Sequence, residues 1–184
     1  MQDPSHSALL IVDFQEKLFK ATGSSGKVID RLAILAQCAS DLGAACCCTE
    51  HYPKGLGPTV RPLREALDSA RRFEKTSFDC FGEKGFAQLL RGLHRRHLLV
   101  GGIETHICVE QTVSSALKRG YSVSVLADGC LSIDPVEKGF ALARMEKTGI
   151  EVITVESMVY RWLGNSRNAH FRKYQSELMD LNRS

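Results

Sequence analysis

The 184-residue chain sets 24 Lys and Arg against 21 Asp and Glu, a formal net charge of +3, with 43% hydrophobic and 24% charged residues. That balance predicts a soluble globular protein large enough to bury a full core, and its charge gives no ground for a nucleic-acid partner. No apolar run approaches the ~18–20 residues of a membrane span. The opening "MQDPSHSALLIVDF" lacks the basic stretch of a secretory signal, and seven cysteines at no framework spacing read as reduced thiols of a cytoplasmic protein.

In chain order, "ALLIVDF" (8–14) reads as a buried strand and "VIDRLAILAQCASDLG" (28–43) as a helix, with Ile29, Leu32, Leu35 and Ala36 on one face. "AACCCTE" (44–50) is a second strand and "TVRPLREALDSA" (59–70) a second helix. A weaker, edge-like strand follows in "RRFEKTSF" (71–78), then a helix in "EKGFAQLLRGL" (83–93). The basic cluster "RGLHRRH" (91–97) reads as a solvated helix end, with phosphate contact as the alternative. "HLLVGG" (97–102) is a strand and "CVEQTVSSALKRG" (108–120) a helix carrying Val109, Val113, Ala116 and Leu117 on one face.

"SVSVLAD" (122–128) and "EVITVE" (151–156) complete the strands. Between them Asp134-Pro135-Val136-Glu137 starts a helix that runs to about Gly149, with an N-cap Asp and Pro at the first helical position. Gly43, Gly120 and Gly149 stand where helix C-termini need a left-handed residue. "SMVYRWLG" (157–164) is apolar enough to suggest an interface in a homo-oligomer, and 168–183 a final amphipathic helix.

Alternating βα units with continuously apolar strands predict an α/β fold. The expected architecture is a three-layer, doubly wound sheet of about six strands, mostly or wholly parallel, with helices on both faces and a Rossmann-like order. One domain is expected over 1–184, with a core of about 7–165 and a C-terminal helix of about 168–181. In such sheets ligands bind beyond the carboxyl ends of the strands. The reactive side chains there are Asp13 after the first strand, Glu50 after the second, Lys75 in the third and Cys108 after the fourth.

"LLIVDFQEKLF", "EKTSFDCF" and "LLVGGIETHICVEQTVSSALKRGYSVSVLADGCLS", in that order, resemble the isochorismatase-like cysteine hydrolases, the family that includes nicotinamidases and carbamoylsarcosine amidase. "TEHYPKGLGPTV" looks most like the isochorismatase-domain-containing branch. The resemblance implies a catalytic trio of Asp13, Lys75 and Cys108, a cis peptide between Ile103 and Glu104, and oxyanion donors in the backbone N–H groups of Glu104 and Cys108. It also implies acyl transfer through a thioester, on a small-molecule amide or related C–N bond, without a cofactor. The metal site of nicotinamidases rests on an Asp and histidines after the second strand. Here Glu50 and His51 have no second histidine downstream, so no metal is expected.

The chemistry suits the residue types. A free cysteine of pKa ~8.5 is about 3% thiolate at pH 7, and an ammonium and a helix N-terminus both favour the anion. That reasoning predicts a lowered thiol pKa for Cys108. Asp13 would move the proton, and two amides would stabilise the oxyanion. Candidate pocket walls are Phe14, Leu18, Phe19 and Phe81, with Tyr52 and Leu56 beside them.

Against this stand blander readings. Cys108 is an inert buried thiol, Asp13 a turn cap and Lys75 a solvated partner of Glu74. Gln15 either orients Asp13 or caps the turn, and Asp128 is a structural hub. A Cys108–His106 pair is disfavoured, because residues two apart on a turn point apart. The competing functions are a binding or scaffold protein of the same fold, and a redox sensor that lacks a resolving thiol near Cys108.

Overall fold

A computed structural model describes residues 3–183. Six strands form one sheet: β1 (Ser7–Val12), β2 (Ala45–His51), β3 (Arg71–Lys75), β4 (His97–Ile103), β5 (Ser122–Leu131) and β6 (Glu151–Ile153). Their order is β3-β2-β1-β4-β5-β6 and every neighbouring pair is parallel. The helices are α1 (Glu16–Thr22), α2 (Lys27–Asp41), α3 (Pro53–Leu56), α4 (Arg61–Ala66), α5 (Phe86–Arg91), α6 (Glu110–Lys118), α7 (Pro135–Lys147), α8 (Val155–Leu163) and α9 (Phe171–Arg183).

β1 shows why the sheet carries helices on both faces. All six of its residues are buried, so neither face meets water, and successive side chains enter opposite layers. Leu9 and Ile11 join a cluster with Leu32 and Leu35 of α2, Leu63 of α4, Trp162 of α8 and Tyr174 of α9. Ala8, Leu10 and Val12 join the other, with Phe86 of α5, Val113 of α6 and Met145 of α7. The strand order reverses direction between β1 and β4, and this is the switch point where such sheets open a crevice.

Several boundaries differ from the sequence expectation. The sixth strand stops at Ile153, because Thr154 accepts the Ser157 N–H at its hydroxyl and starts α8. "SMVYRWLG" is therefore not a free interface: Met158, Val159, Trp162 and Leu163 are buried in the core. β5 runs on past Asp128 to Leu131, and its register with β4 shifts between Val100 and Gly102. At this irregularity Gly101 faces Gly129 so closely that a Cβ would lie 2.8 Å from the Gly129 oxygen.

β3 ends at Lys75, because the next turn is wound around one carboxylate. Glu83 Oε1 accepts the N–H groups of Thr76 (2.8 Å) and Ser77 (2.9 Å) and both hydroxyls. These bonds, the Thr76 amide foremost, bring the Glu83 pKa down to about 2. His97, the shared end of the basic cluster and of the expected strand, is the first residue of β4, buried between the hydroxyls of Ser7 and Ser124, each at 2.9 Å.

Candidate active site

β1 ends in a sharp turn. Asp13 has φ 51, its N–H bonds to the Thr49 carbonyl (3.1 Å), and its own carbonyl accepts the Gln15 N–H (2.8 Å). Asp is among the non-glycine residues that tolerate this left-handed geometry best. The turn sets the carboxylate among the ends of β2, β3 and β4. Thr49 donates its hydroxyl to Asp13 Oδ1 at 2.7 Å, and the Lys75 ammonium lies 2.5 Å from Oδ2. Both side chains of that ion pair are fully buried.

Lys75 is also held by the carbonyls of Ser77 (3.0 Å) and Phe78 (3.3 Å). Burial pulls its pKa down, but the Asp13 carboxylate foremost, with the nearby thiols of Cys80 and Cys108, outweighs that, and the net shift is upward. The lysine is a fixed cation. It is no solvated partner of Glu74.

The third member arrives from β4. Its last residues Gly101 and Gly102 pass against β5 and β1, and a Cβ on Gly102 would overlap the Val12 carbonyl. The Ile103–Glu104 peptide is cis. Thr105–Val109 then forms a π-helical turn that leads into α6, and Cys108 is buried within it.

The turn is fastened to the end of β5. The Thr105 N–H bonds to Ser132 Oγ (3.2 Å), the Thr105 hydroxyl to the Leu131 carbonyl (2.8 Å), and the Ile133 N–H to the Glu104 carboxylate (3.1 Å). His106 Nδ1 is 3.2 Å from the same Ser132 hydroxyl, so it faces away from the thiol.

The Cys108 thiol lies within electrostatic reach of Asp13 and Lys75, and here the electrostatic expectation is reversed. Burial first, and then the Asp13 charge, push its pKa up to about 12, with Lys75 pulling only partly the other way. The sequence argument counted the ammonium and the helix but not the carboxylate that already neutralises the ammonium. The resting group is a neutral thiol beside the buried Asp13–Lys75 ion pair.

The structure thus brings Asp13, Lys75 and Cys108 together in one buried cluster, with Glu104 at the start of the turn that carries Cys108. It separates the candidate pocket walls. Phe14 is wholly buried in the core and stacks on Phe19 (5.8 Å), while Leu18 and Phe19 pack half-buried on that core. Phe81 is not at this site, because it sits edge-on to Phe86 (5.2 Å) beneath the Arg119 guanidinium (4.4 Å). The rings nearest the strand ends beside the cluster are Tyr52, among the expected walls, and Phe78. Tyr52 and Phe78 are exposed, and Phe78 stacks on His51 at 5.6 Å.

Thr49 and Cys80 were also missed. Cys80, a buried thiol whose pKa burial pushes up to about 12, lies beside both Lys75 and Cys108. Parallel pairing of β1 with β2 would have found Thr49, since it lies opposite Val12. Gln15 and Glu50 hold the scaffold: Gln15 bridges the His51 and Gly57 backbones, and Glu50 accepts the Thr59 N–H and hydroxyl. Asp128 accepts the Val155 N–H at the start of α8.

A six-stranded parallel sheet in the order 3-2-1-4-5-6, with a buried carboxylate, ammonium and thiol at its switch point, defines a doubly wound α/β protein with an acid–base thiol cluster. Residues 7–157 match the isochorismatase domain, and the chain belongs to the isochorismatase family. It is 33% identical over 174 residues to isochorismatase domain-containing protein 2 of Xenopus laevis, covering 95% of this chain and 84% of that one. It is 34% identical to isochorismatase domain-containing protein 1 of Salmo salar, where 94% of this chain spans 61% of the relative. Among solved structures, the MAR1 ribonuclease of Caenorhabditis elegans superposes with a TM-score of 0.89 at 31% identity, covering 97% of this chain and 92% of that one. The nicotinamidase of Staphylococcus aureus gives 0.72 at 26% identity, covering 80% and 98%.

Proposed function

We propose that this chain is a hydrolase in which Cys108 attacks the carbonyl carbon of a small amide or related C–N bond. The observation that carries the reading is the buried contact of thiol, carboxylate and ammonium. Such a set can move one proton without exposing a charge to water. The nicotinamidase neighbour supports the bond type, since its name describes an amide hydrolase.

In this mechanism the thiol stays protonated until substrate arrives. Asp13 takes its proton as sulfur bonds to the carbonyl carbon, and Lys75 offsets the charge. The backbone N–H groups of Glu104 and Cys108 donate to the tetrahedral oxyanion. Collapse transfers the Asp13 proton to the departing amine and leaves a thioester on Cys108. A water that gives its proton to Asp13 then attacks the thioester, and release of the acid returns the proton to sulfur.

The test uses the full chain and a panel of small aliphatic and aromatic primary amides. Wild type should release ammonia and carry an acyl mass adduct on Cys108, and Cys108→Ala should do neither. If wild type yields no ammonia and no adduct, the hydrolase reading fails and the binding-protein reading takes its place. The name of the nematode relative suggests a second substrate class, RNA. Cleavage of an RNA oligonucleotide that survives Cys108→Ala would separate that activity from this site.

A further inference from the structure

A second concave site lies at the opposite end of the sheet. It is a cleft of about 580 Å³ lined by Arg91, Arg95, Arg96 and Arg119, with Phe81 and Tyr121 among its other walls. Arg96 immediately precedes β4 and Tyr121 immediately precedes β5, so the cleft opens at the amino ends of the strands. β4 has seven residues, which puts the Arg96 end of this cleft about 20 Å from the Cys108 turn, while its Phe81 wall adjoins Cys80.

Arginines beside the ends of α5 and α6 could simply complement the helix carbonyls. Three observations go beyond that. Four arginines line one cavity instead of spreading over a face, although Arg95 also donates to the Gly43 carbonyl at 3.5 Å. Among the described residues none of the four has a carboxylate within 4.0 Å, the arginine ion pairs being those of Arg31, Arg61, Arg144 and Arg161. Arg95 Nε is buried without a hydrogen-bond partner, a donor that folding has desolvated and left unused. Arg119 is meanwhile fixed, by the Ser115 carbonyl at 2.9 Å and by stacking on Phe81.

We infer that this cleft binds a small organic polyphosphate with the chemistry of a nucleoside di- or triphosphate. Guanidinium forks match phosphate oxygens two at a time, and four of them exceed what one carboxylate needs. The volume is that of a small-molecule site, and the half-buried rings of Phe81 and Tyr121 give the ligand's organic part an apolar wall. The charges converge on one cavity and the whole chain carries only +3, which favours a compact ligand over a nucleic-acid strand. The assignment does not depend on the chemistry of Cys108.

Titration calorimetry on the full chain tests it with ATP, inorganic triphosphate and adenosine as probes. ATP should bind most tightly, triphosphate more weakly, and adenosine at least ~100-fold more weakly than ATP. Arg95→Gln and Arg96→Gln should each weaken ATP by about 10-fold or more with an unchanged melting temperature, while Arg172→Gln, on an exposed part of α9, should leave it unaltered. No ATP binding up to about 1 mM would overturn the assignment. So would an equal loss in Arg172→Gln, or an RNA oligonucleotide bound ~10-fold more tightly than ATP with affinity growing with its length.

Discussion

The Cys108 proton is where the residues of this site most constrain one another. Its thiol pKa is pushed to about 12 by burial and by Asp13, so the free protein should alkylate slowly at neutral pH. Asp13→Asn removes the negative charge and leaves Lys75 facing the sulfur. Iodoacetamide labelling of Cys108 near pH 8 should then be faster than in wild type, while amide turnover falls by roughly 10²–10⁴ with the loss of the proton acceptor. Slower labelling in the variant would mean that Asp13 does not hold the thiol neutral. Lys75→Met leaves the Asp13 carboxylate buried without its cation, and chemical denaturation should show a loss of about 3–5 kcal/mol. Asp13 was legible at this scale because it follows an apolar run directly, and Cys108 because it begins a helix after a strand that ends in glycines. Thr49 was not, since it meets Asp13 only through strand pairing.

Among the elements, the β4 end and the turn after it decide whether the thiol can reach Asp13. Gly102→Ala would press a methyl group into the Val12 carbonyl, and denaturant melts should register a loss of roughly 1–3 kcal/mol or more. Its effect on Cys108 labelling should exceed that of a comparable core change far from the turn. α8 illustrates the opposite case, an element whose apolar face is purely structural. Trp162 is 5% exposed, and Trp162→Ala should cost about 3–5 kcal/mol in the same melts without altering the Cys108 labelling rate of the folded protein. The apolar run of α8 was visible in the sequence, but which surface covers it depends on α2 and α9 and was not.

For the whole molecule, pH dependence of stability follows from His97 beneath the sheet. Burial lowers its pKa from 6.5 to about 4. The unfolded chain therefore binds a proton between those values that the native state refuses. Stability should fall as pH drops from about 6.5 towards 4, with a slope from this residue of up to about 1.4 kcal/mol per pH unit, and level off below. His97→Gln should flatten that segment of the curve in urea melts run at several pH values. A slope unchanged by the substitution would assign the effect to other groups.

Local patterning alone declares the alternation of apolar strands and amphipathic helices, and hence a parallel sheet covered on both faces. Periodicity is a local property, and both faces of β1 and β4 declare their burial within a few residues. It also marked Asp13, Lys75 and Cys108, because each stands at or beside a strand end. The charge state of the thiol, the partners that hold Asp13, the removal of Phe81 to another surface and the convergence of four arginines on one cleft emerge only once the chain is folded. Each of these depends on groups far apart in the chain and close in space, where burial and Coulomb interactions act on separations that sequence order does not contain.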